Sequence, residues 1–242
     1  MSEKGTYELL TKSAPGVIAL LDPDRTPIKD AERIARFACD EGVKAILIGT
    51  SLLVSPYFDK FVKAVKKGSV LPVILFPGGS HQVAPDADAI FFLSLLSGRN
   101  PEFLINEQVK VVFVIKAYNL EVIPVGYLLI DSGNYTTVEY VSNTKPIPRN
   151  KPEICVAHAL AGEFFGMKYI YLEAGSGAKY HVPAEIVANV RKNVNVPLIV
   201  GGGIRTVADT RKLFNAGADY IVLGSIIEKS PSNFKAIMRS VR

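Results

Sequence analysis

The segment that decides the fold lies near the end of the chain, from residue 197 to residue 225, and reads PLIVGGGIRTVADTRKLFNAGADYIVLGS. A short apolar run (197–200) is followed by three glycines, an amphipathic stretch (207–216) and a second apolar run (220–223). This order predicts a strand, a glycine loop, a helix and a parallel strand. We also expect a short helix after the second strand, with its positive end directed at the glycines.

The same alternation of apolar runs and amphipathic stretches recurs along the chain. It predicts eight strands, at residues 17–21, 44–48, 72–76, 89–93, 122–130, 169–172, 197–200 and 220–223. Eight strand–helix units close most economically as a (β/α)8 TIM barrel, with the active site at the carboxyl ends of the strands. No low-complexity linker or shift in composition divides the sequence. We therefore predict a single α/β domain over residues 1–242.

Three connections depart from a regular barrel. Residues 77–88 contain Pro-Gly-Gly-Ser and Ala-Pro-Asp, so we expect a loop where a helix normally joins the third and fourth strands. Residues 100–117 favour a strand by propensity, but a strand there would need another topology, and we predict a helix. The connector from 131 to 151 is too long for a plain loop and is expected to cover a site.

Composition excludes several classes of protein. The chain has 242 residues, a net charge of +5, 48% apolar residues and two cysteines, which argues against disorder and against a disulfide framework. It has no long basic run and no tryptophan, so we expect no nucleic-acid partner. The absence of a signal-peptide core or of a 20-residue apolar run leads us to expect a reducing, cytoplasmic location.

Glycines at the ends of strands seven and eight predict a phosphate site. Loops after these two strands are where barrels bind phosphate, because backbone N–H groups can approach the anion closely. Gly202 and Gly203 follow strand seven, and Gly224 and Ser225 follow strand eight. A plain tight turn at the three glycines is the simpler alternative, but the second Gly-Ser pair favours binding.

Strand six ends in a carboxylate and a second glycine-rich loop. Glu173 is expected at the barrel mouth, where it could act as a general base or could pair structurally with a cation. Gly175, Ser176 and Gly177 follow it and offer backbone and hydroxyl donors.

Strands one and two end in oxygen-bearing residues. Asp22 follows strand one, and Ser51 lies just after strand two. Together they could hold Mg²⁺, which typically takes one or two carboxylates plus substrate phosphates. The alternative, equally supported by the spacing, is that Asp22 or Asp24 caps the following helix.

These stretches, taken in order, resemble a known family. They are Leu21-Asp22-Pro23-Asp24, Gly49-Thr50-Ser51, residues 91–101 (FFLSLLSGRNP), residues 171–177 (YLEAGSG) and residues 200–205 (VGGGIR). From about residue 15 to the C-terminus the chain resembles geranylgeranylglyceryl phosphate synthase of the archaeal type, group II-like. The glycine loops occur in many phosphate-binding barrels, whereas YLEAGSG and the Leu-Ser-Leu-Leu-Ser string are far more specific.

The resemblance implies a reaction and its residues. It implies Mg²⁺-dependent transfer of a geranylgeranyl group from its diphosphate to the 3-hydroxyl of sn-glycerol 1-phosphate, with release of diphosphate. Asp22 and Ser51 would match the Mg²⁺ positions, Glu173 would take the proton, and Tyr171 would orient the hydroxyl. Substrate-binding positions implied by the family are Tyr171, Leu172, Glu173, Ala174, Gly175, Ser176, Gly177, Gly202, Gly203, Gly224 and Ser225. Relatives assemble from identical subunits, so a homo-oligomer is expected, and a transient membrane contact is compatible with a lipid product.

Two other functions remain open at this point. The chain could be a phosphate-binding barrel enzyme that acts on a sugar phosphate, or a non-catalytic barrel that binds a phosphorylated metabolite. An apolar groove at the mouth would favour prenyl transfer over the sugar-phosphate enzyme, whereas a non-catalytic barrel would tolerate loss of Glu173 or Asp22, and both are present. Residues that could line such a groove, or could equally be ordinary core, are Leu52, Leu53, Phe91, Phe92, Leu95 and Tyr127.

Overall fold

The computed structural model describes residues 5–241, and at its centre eight parallel strands form a closed barrel in chain order. The strands are β1 (Gly16–Leu21), β2 (Ile46–Ile48), β3 (Val73–Leu75), β4 (Ala89–Leu95), β5 (Glu121–Leu129), β6 (Tyr169–Glu173), β7 (Leu198–Gly201) and β8 (Tyr220–Leu223). Pairing of β1 with β8, in the register Gly16 to Tyr220, closes the ring. The predicted (β/α)8 barrel is confirmed; residues 1–4 and 242 of the predicted 1–242 domain lie outside the described part.

Helices surround the barrel and follow most of the strands. They are α1 (Thr6–Ser13), α2 (Ile28–Asp40), α3 (Phe58–Gly68), α4 (Glu107–Ala117), α5 (Thr137–Ser142), α6 (Pro152–Phe164), α7 (Ala184–Asn193), α8 (Val207–Asn215), α9 (Ile226–Lys229) and α10 (Pro231–Ser240). One turn of π-helix, Glu102–Asn106, leads into α4. No helix within residues 5–241 is long and apolar enough to cross a membrane.

Except for parts of β4 and β5, the strands are largely buried on both faces, which explains why they are nearly continuous apolar runs. Alternate side chains fill the barrel interior, including Phe91, Tyr169 and Tyr171, while their neighbours, such as Ile90 and Leu172, pack against the helices. This alternation decides which strand residues can reach a site inside the barrel mouth.

Helix α1, which the sequence patterns left unassigned, closes the end of the barrel opposite the strand carboxyl termini. Leu10 packs into the interior cluster, and the ring of Tyr7 meets that of Tyr169 edge-on at 5.7 Å. The Glu121 carboxylate accepts hydrogen bonds from the N–H groups of Thr6 and Tyr7 at the start of the helix. Within residues 5–241, α1 thus covers this end of the barrel, whereas the end at the strand carboxyl termini holds an open cavity.

The three irregular connections behave as predicted. No helix joins β3 to β4, while residues 102–117 are helical despite their β-branched residues. Burial explains the latter, because Gln108, Val111 and Ile115 lie on one helical face against the barrel and Phe113 faces solvent. The long connector after β5 carries α5, whose residues Thr137 and Val138 lie over the barrel mouth.

Candidate active site

A cavity of about 400 Å³ opens at the carboxyl ends of the strands. One end is polar, with glycine loops and carboxylates, and the other is lined by aromatic and aliphatic side chains. The position agrees with the rule for barrel enzymes. A cavity that joins an anion site to an apolar groove suits a ligand with a charged head and a hydrocarbon tail.

The predicted phosphate residues of the polar end come from backbone at two consecutive strand ends. Gly202 and Gly203 after β7, and Gly224 and Ser225 after β8, all line the cavity. Gly202 has a φ of +82°, and a Cβ at this residue would overlap the Glu173 carboxylate, so only glycine fits there. The predicted helix after β8 is present as α9. The predicted phosphate residues thus lie together.

Arg205 holds the loop after β6 against the loop after β7. Its guanidinium donates to the carbonyls of Ala178 and Lys179, at 2.5 and 3.1 Å respectively. Thr206 then starts α8 with a capping box, because its hydroxyl accepts from Asp209 N–H and Asp209 accepts from Thr206 N–H. These contacts fix the segment that directly follows the three glycines.

Glu173 ends β6 inside this polar end, and it is only 6% exposed. Burial raises the pKa of its carboxyl to about 7, although hydrogen bonds from Gly175 N–H (2.5 Å) and the effect of the nearby Tyr171 hydroxyl lower it in part. No ion pair to Glu173 occurs among the described residues, so the structural alternative for this carboxylate finds no support. A carboxylate with a pKa near neutrality is suited to general-base chemistry.

Tyr171 lies two residues before Glu173 and points into the same interior. Its ring stacks on Phe76 at 5.1 Å and on Tyr127 at 5.4 Å. Its buried hydroxyl has no hydrogen-bond partner at bonding geometry, although it lies beside the Glu173 carboxylate, and burial together with the Glu173 charge raises the pKa of this hydroxyl well above its usual value. The group therefore stays protonated and can donate to a ligand oxygen.

Not all the residues predicted to bind substrate reach the cavity. Gly175, Ser176 and Gly177 line it, as do Tyr171 and Glu173. Leu172 and Ala174 instead belong to the layer between barrel and helices, because alternate strand residues point to opposite faces. The side chains of these two residues are therefore turned away from the site.

Asp22 lies at the end of β1 beside the polar loops. Its carboxylate accepts hydrogen bonds from Asp24 N–H (2.9 Å) and Thr50 Oγ1 (3.3 Å) and pairs with Arg25 Nε (3.3 Å). Burial raises the pKa of Asp22, while Asp24 N–H and the Arg25 charge act against this. Helix α2 begins after Pro27 without a side-chain cap. The capping alternative is therefore wrong for Asp22 and for Asp24, which binds the N–H groups of Val54 and Ser55.

The oxygen donors around Asp22 fit a magnesium ion. One carboxylate and the hydroxyls of Thr50 and Ser51 border the same cavity, and hard oxygen ligands are those that Mg²⁺ prefers. No group of three or more His, Cys, Asp and Glu residues that could hold a metal exists within residues 5–241. Such a sparse set suits a cation that takes its other ligands from a phosphorylated substrate and from water.

Thr50 is the functional candidate that the sequence did not single out. Within the described chain the hydroxyl that reaches Asp22 is that of Thr50, and Ser51 only borders the cavity. Two adjacent hydroxyl residues give no sequence signal to separate them. The sequence also did not single out two basic residues that line the polar end of the cavity, Arg25 and Lys229. They lie in ordinary turn and helix positions, which give no signal.

The apolar end occupies the place of the missing helix. Phe91 points into the barrel and Phe92 points outward, yet both line the cavity, because no helix covers this part of the sheet. Leu95 and Tyr127 line it as well, whereas Leu52 and Leu53 do not. Leu52 is exposed, and Leu53 borders a separate surface pocket beside α3. Four of the six predicted groove residues therefore meet.

Comparisons with known proteins agree with this geometry. The profile of the PcrB family matches residues 10–241. A protein of Thermococcus gammatolerans named geranylgeranylglyceryl phosphate synthase is 50% identical, with 97% of this chain and 92% of the relative covered. A Pyrococcus abyssi protein of the same name is 49% identical, with 88% and 84% covered. The crystal structure of (S)-3-O-geranylgeranylglyceryl phosphate synthase from Thermoplasma acidophilum, in complex with sn-glycerol-1-phosphate, superposes with a TM-score of 0.93 at 36% identity over 99% of both chains.

Proposed function

The chain belongs to the PcrB family, and from this premise we propose that it is a prenyltransferase that makes geranylgeranylglyceryl phosphate. It transfers the geranylgeranyl group of geranylgeranyl diphosphate to the 3-hydroxyl of sn-glycerol 1-phosphate. Proteins of this name align with nearly the whole chain, and the similar Thermoplasma acidophilum enzyme was crystallised with sn-glycerol-1-phosphate.

One observation carries the proposal. A single cavity joins the glycine loops and the buried Glu173 carboxylate to an apolar groove that extends to the outer face of the sheet. Glycerol phosphate matches the polar end, and a prenyl tail matches the groove, where each buried CH₂ contributes about 0.8 kcal/mol.

The chemistry follows from the positions of Glu173 and Tyr171. The 3-hydroxyl oxygen attacks C1 of the prenyl group, the bond from C1 to the diphosphate oxygen breaks, and the hydroxyl proton passes to the Glu173 carboxylate. Diphosphate leaves with the electron pair of the broken bond. The unpartnered Tyr171 hydroxyl donates to the glycerol oxygen region and orients it. Because both substrates share one cleft, much of the entropic barrier is removed on binding.

We propose Mg²⁺ as the cofactor, held by Asp22 with the hydroxyls of Ser51 and Thr50. When bound, the ion neutralises charge on the departing diphosphate. The oxygen donors at this end of the cavity support the assignment. Arg25 and Lys229 border the same end and add positive charge toward the diphosphate.

The sugar-phosphate alternative is less well supported. Such an enzyme needs the glycine loops but has no use for an apolar groove that reaches the outer face of β4, where the helix between β3 and β4 is missing. A non-catalytic barrel would have no need of a buried carboxylate with a pKa of about 7, since an ionised group there costs stability.

The direct test is a transfer assay with the purified protein. Labelled sn-glycerol 1-phosphate is incubated with geranylgeranyl diphosphate and Mg²⁺, and label is measured in the organic phase. We expect extractable product and an equal amount of diphosphate, and none when EDTA replaces Mg²⁺. Binding of sn-glycerol 1-phosphate without any product would overturn prenyl transfer and favour the sugar-phosphate alternative.

Assembly and location are further parts of the proposal. A homo-oligomer is supported by exposed aromatic residues on the two helices that flank β5, namely Phe113 on α4 and Phe164 with its neighbour Phe165 at the end of α6. Light scattering on the purified protein tests the assembly. The unpaired Cys39 and Cys155 support a cytoplasmic location.

A further inference from the structure

Gln82 is a fully buried polar residue in the loop that replaces the helix between β3 and β4. Its carboxamide contacts the backbone of Thr50 at two points: Oε1 accepts from Thr50 N–H at 3.1 Å, and Nε2 donates to the Thr50 carbonyl at 2.9 Å. The side chain thus continues the hydrogen bonding of the sheet beyond the end of β2. Since donor faces acceptor at both points, a flipped amide would lose both bonds.

The same loop packs closely on the end of β2 through a glycine. A Cβ at Gly78 would overlap the Thr50 carbonyl, so any larger residue would push the loop away. Gln82 N–H also donates to the Gly79 carbonyl at 3.1 Å, which fixes the turn that presents its side chain. The loop is therefore built to hold Thr50.

Thr50 in turn holds the carboxylate proposed to bind the cation. Its hydroxyl donates to Asp22 Oδ2 at 3.3 Å, while Asp24 N–H holds the other carboxylate oxygen. A continuous chain of contacts therefore runs from Gln82 through Thr50 to Asp22, and it joins three loops that are far apart in sequence.

We propose that Gln82 is a positioning residue for the divalent cation and the diphosphate. It fixes the Thr50 peptide so that the Thr50 hydroxyl orients the Asp22 carboxylate. This inference rests on the proposed function for the identity of the ligands. Mg²⁺ demands nearly ideal octahedral geometry, and loss of a group that orients a metal ligand typically weakens metal binding about 10–100-fold.

The test compares two buried glutamines, of which Gln108 lines the cavity and Gln82 lies behind it against the backbone of Thr50. Gln82→Met keeps the length of the side chain but removes both bonds to Thr50. Gln108→Met is the matched control, because Gln108 is also buried and donates to backbone carbonyls, those of Leu93 and Phe103, but lies at the apolar end. Both variants are first checked for folding by circular dichroism.

The first readout is binding of Mn²⁺ in the presence of inorganic diphosphate, followed by electron paramagnetic resonance without any prenyl substrate. We expect the Mn²⁺ dissociation constant to rise about 10-fold in Gln82→Met and to change less than about twofold in Gln108→Met. The second readout is kinetic. The Mg²⁺ concentration for half-maximal rate and the KM for geranylgeranyl diphosphate should rise in Gln82→Met, with little change in the KM for sn-glycerol 1-phosphate.

Unchanged Mn²⁺ affinity in a folded Gln82→Met protein, or an equal loss in the two variants, would overturn the inference. If Gln82→Met does not fold, Gln82→Leu replaces it, since it also removes both bonds to Thr50 and adds no charge; a Mn²⁺ affinity equal to wild type would again overturn the inference. The binding readout needs no turnover. A wild-type protein that makes no ether product therefore refutes the proposed function, whereas the Gln82 result is decided by Mn²⁺ binding.

Discussion

The two polar parts of the cavity are built in different ways. The phosphate side uses backbone from the loops after β6, β7 and β8, and its essential residues are glycines with fixed conformations. The cation side uses side chains, since Asp22, Thr50 and Gln82 come from three separate loops and meet only through hydrogen bonds. The phosphate side is therefore formed by short local stretches of sequence, whereas the cation side depends on how loops distant in sequence pack together.

This difference predicts how each side responds to substitution. On the phosphate side we propose that the ligand is bound by backbone N–H groups, which every residue except proline carries, so we expect damage from added atoms or from loss of the reacting carboxylate. On the cation side each side chain orients the next one. Removal of one hydrogen-bonding group should therefore also displace the residues that follow it in the chain of contacts. Substitutions on the phosphate side should therefore lower mainly the rate, and substitutions on the cation side should weaken mainly the binding of metal and of geranylgeranyl diphosphate.

Glu173→Gln should have the largest effect. The amide cannot take the proton from the attacking hydroxyl, so we expect kcat to fall about 10²–10⁴-fold, with the KM for sn-glycerol 1-phosphate nearly unchanged. Steady-state kinetics measures both quantities. Glu153→Gln is the matched control, because it makes the same change at an exposed carboxylate on α6 that does not line the cavity. An undiminished kcat in Glu173→Gln would exclude Glu173 as the base.

The same substitution should stabilise the folded protein at alkaline pH. A folded-state pKa of about 7 lies above the usual value of 4.5, so the folded state binds the proton more tightly and loses stability as pH rises between these values. Glu173→Gln removes this loss. The free energy of unfolding of the variant minus that of the wild type should therefore be about 2–3 kcal/mol larger at pH 8 than at pH 5. Urea unfolding at the two pH values measures the difference.

The contrast between the two sides also explains what the sequence could predict. The barrel followed from eight apolar runs, and Gly202, Gly203, Gly224 and Ser225 followed from their place after β7 and β8. Leu172 and Ala174 were predicted to bind substrate because they belong to the same motif as Tyr171 and Glu173. Alternation along the strand turns their side chains to the opposite face. Thr50 and Gln82 could not be found, because a contact between residues 32 positions apart depends on the course of a loop without regular structure.

Asp22→Asn should have the next largest effect and should act on the other side. The amide keeps the hydrogen bond from Thr50 but loses the negative charge that we propose binds the cation. We expect kcat/KM for geranylgeranyl diphosphate to fall about 10–100-fold at fixed Mg²⁺, with partial recovery as Mg²⁺ is raised. Binding of sn-glycerol 1-phosphate, measured by calorimetry, should stay close to wild type. An unaltered Mg²⁺ requirement would show that the cation binds elsewhere.

The pH dependence of the rate distinguishes the two carboxylates. The basic form of Glu173 predominates above its pKa of about 7, so kcat/KM should fall about tenfold for each pH unit below that value. Burial also raises the pKa of Asp22, but a bound cation favours its ionised form. The acidic limb should therefore keep its midpoint when Mg²⁺ is increased, and a midpoint that moves with Mg²⁺ would assign the limb to Asp22 instead.

Glu107→Gln should have the smallest effect and should report on the groove beside the cation side. Glu107 Oε2 accepts from Ser80 N–H, and Oε1 pairs with Lys110 at 2.5 Å, so this carboxylate ties the helix-free loop to α4. Although burial raises the pKa of Glu107, hydrogen bonds from Lys110 and Ser80 lower it to about 2.

In Glu107→Gln the amide retains an acceptor but loses the charge, which should weaken the contact between the loop and α4 by about 1 kcal/mol. We expect the KM for geranylgeranyl diphosphate to rise about 2–5-fold while the Mn²⁺ affinity with diphosphate stays constant. A loss of Mn²⁺ affinity as large as that of Gln82→Met would mean that the whole loop, rather than the Gln82 carboxamide, positions the cation.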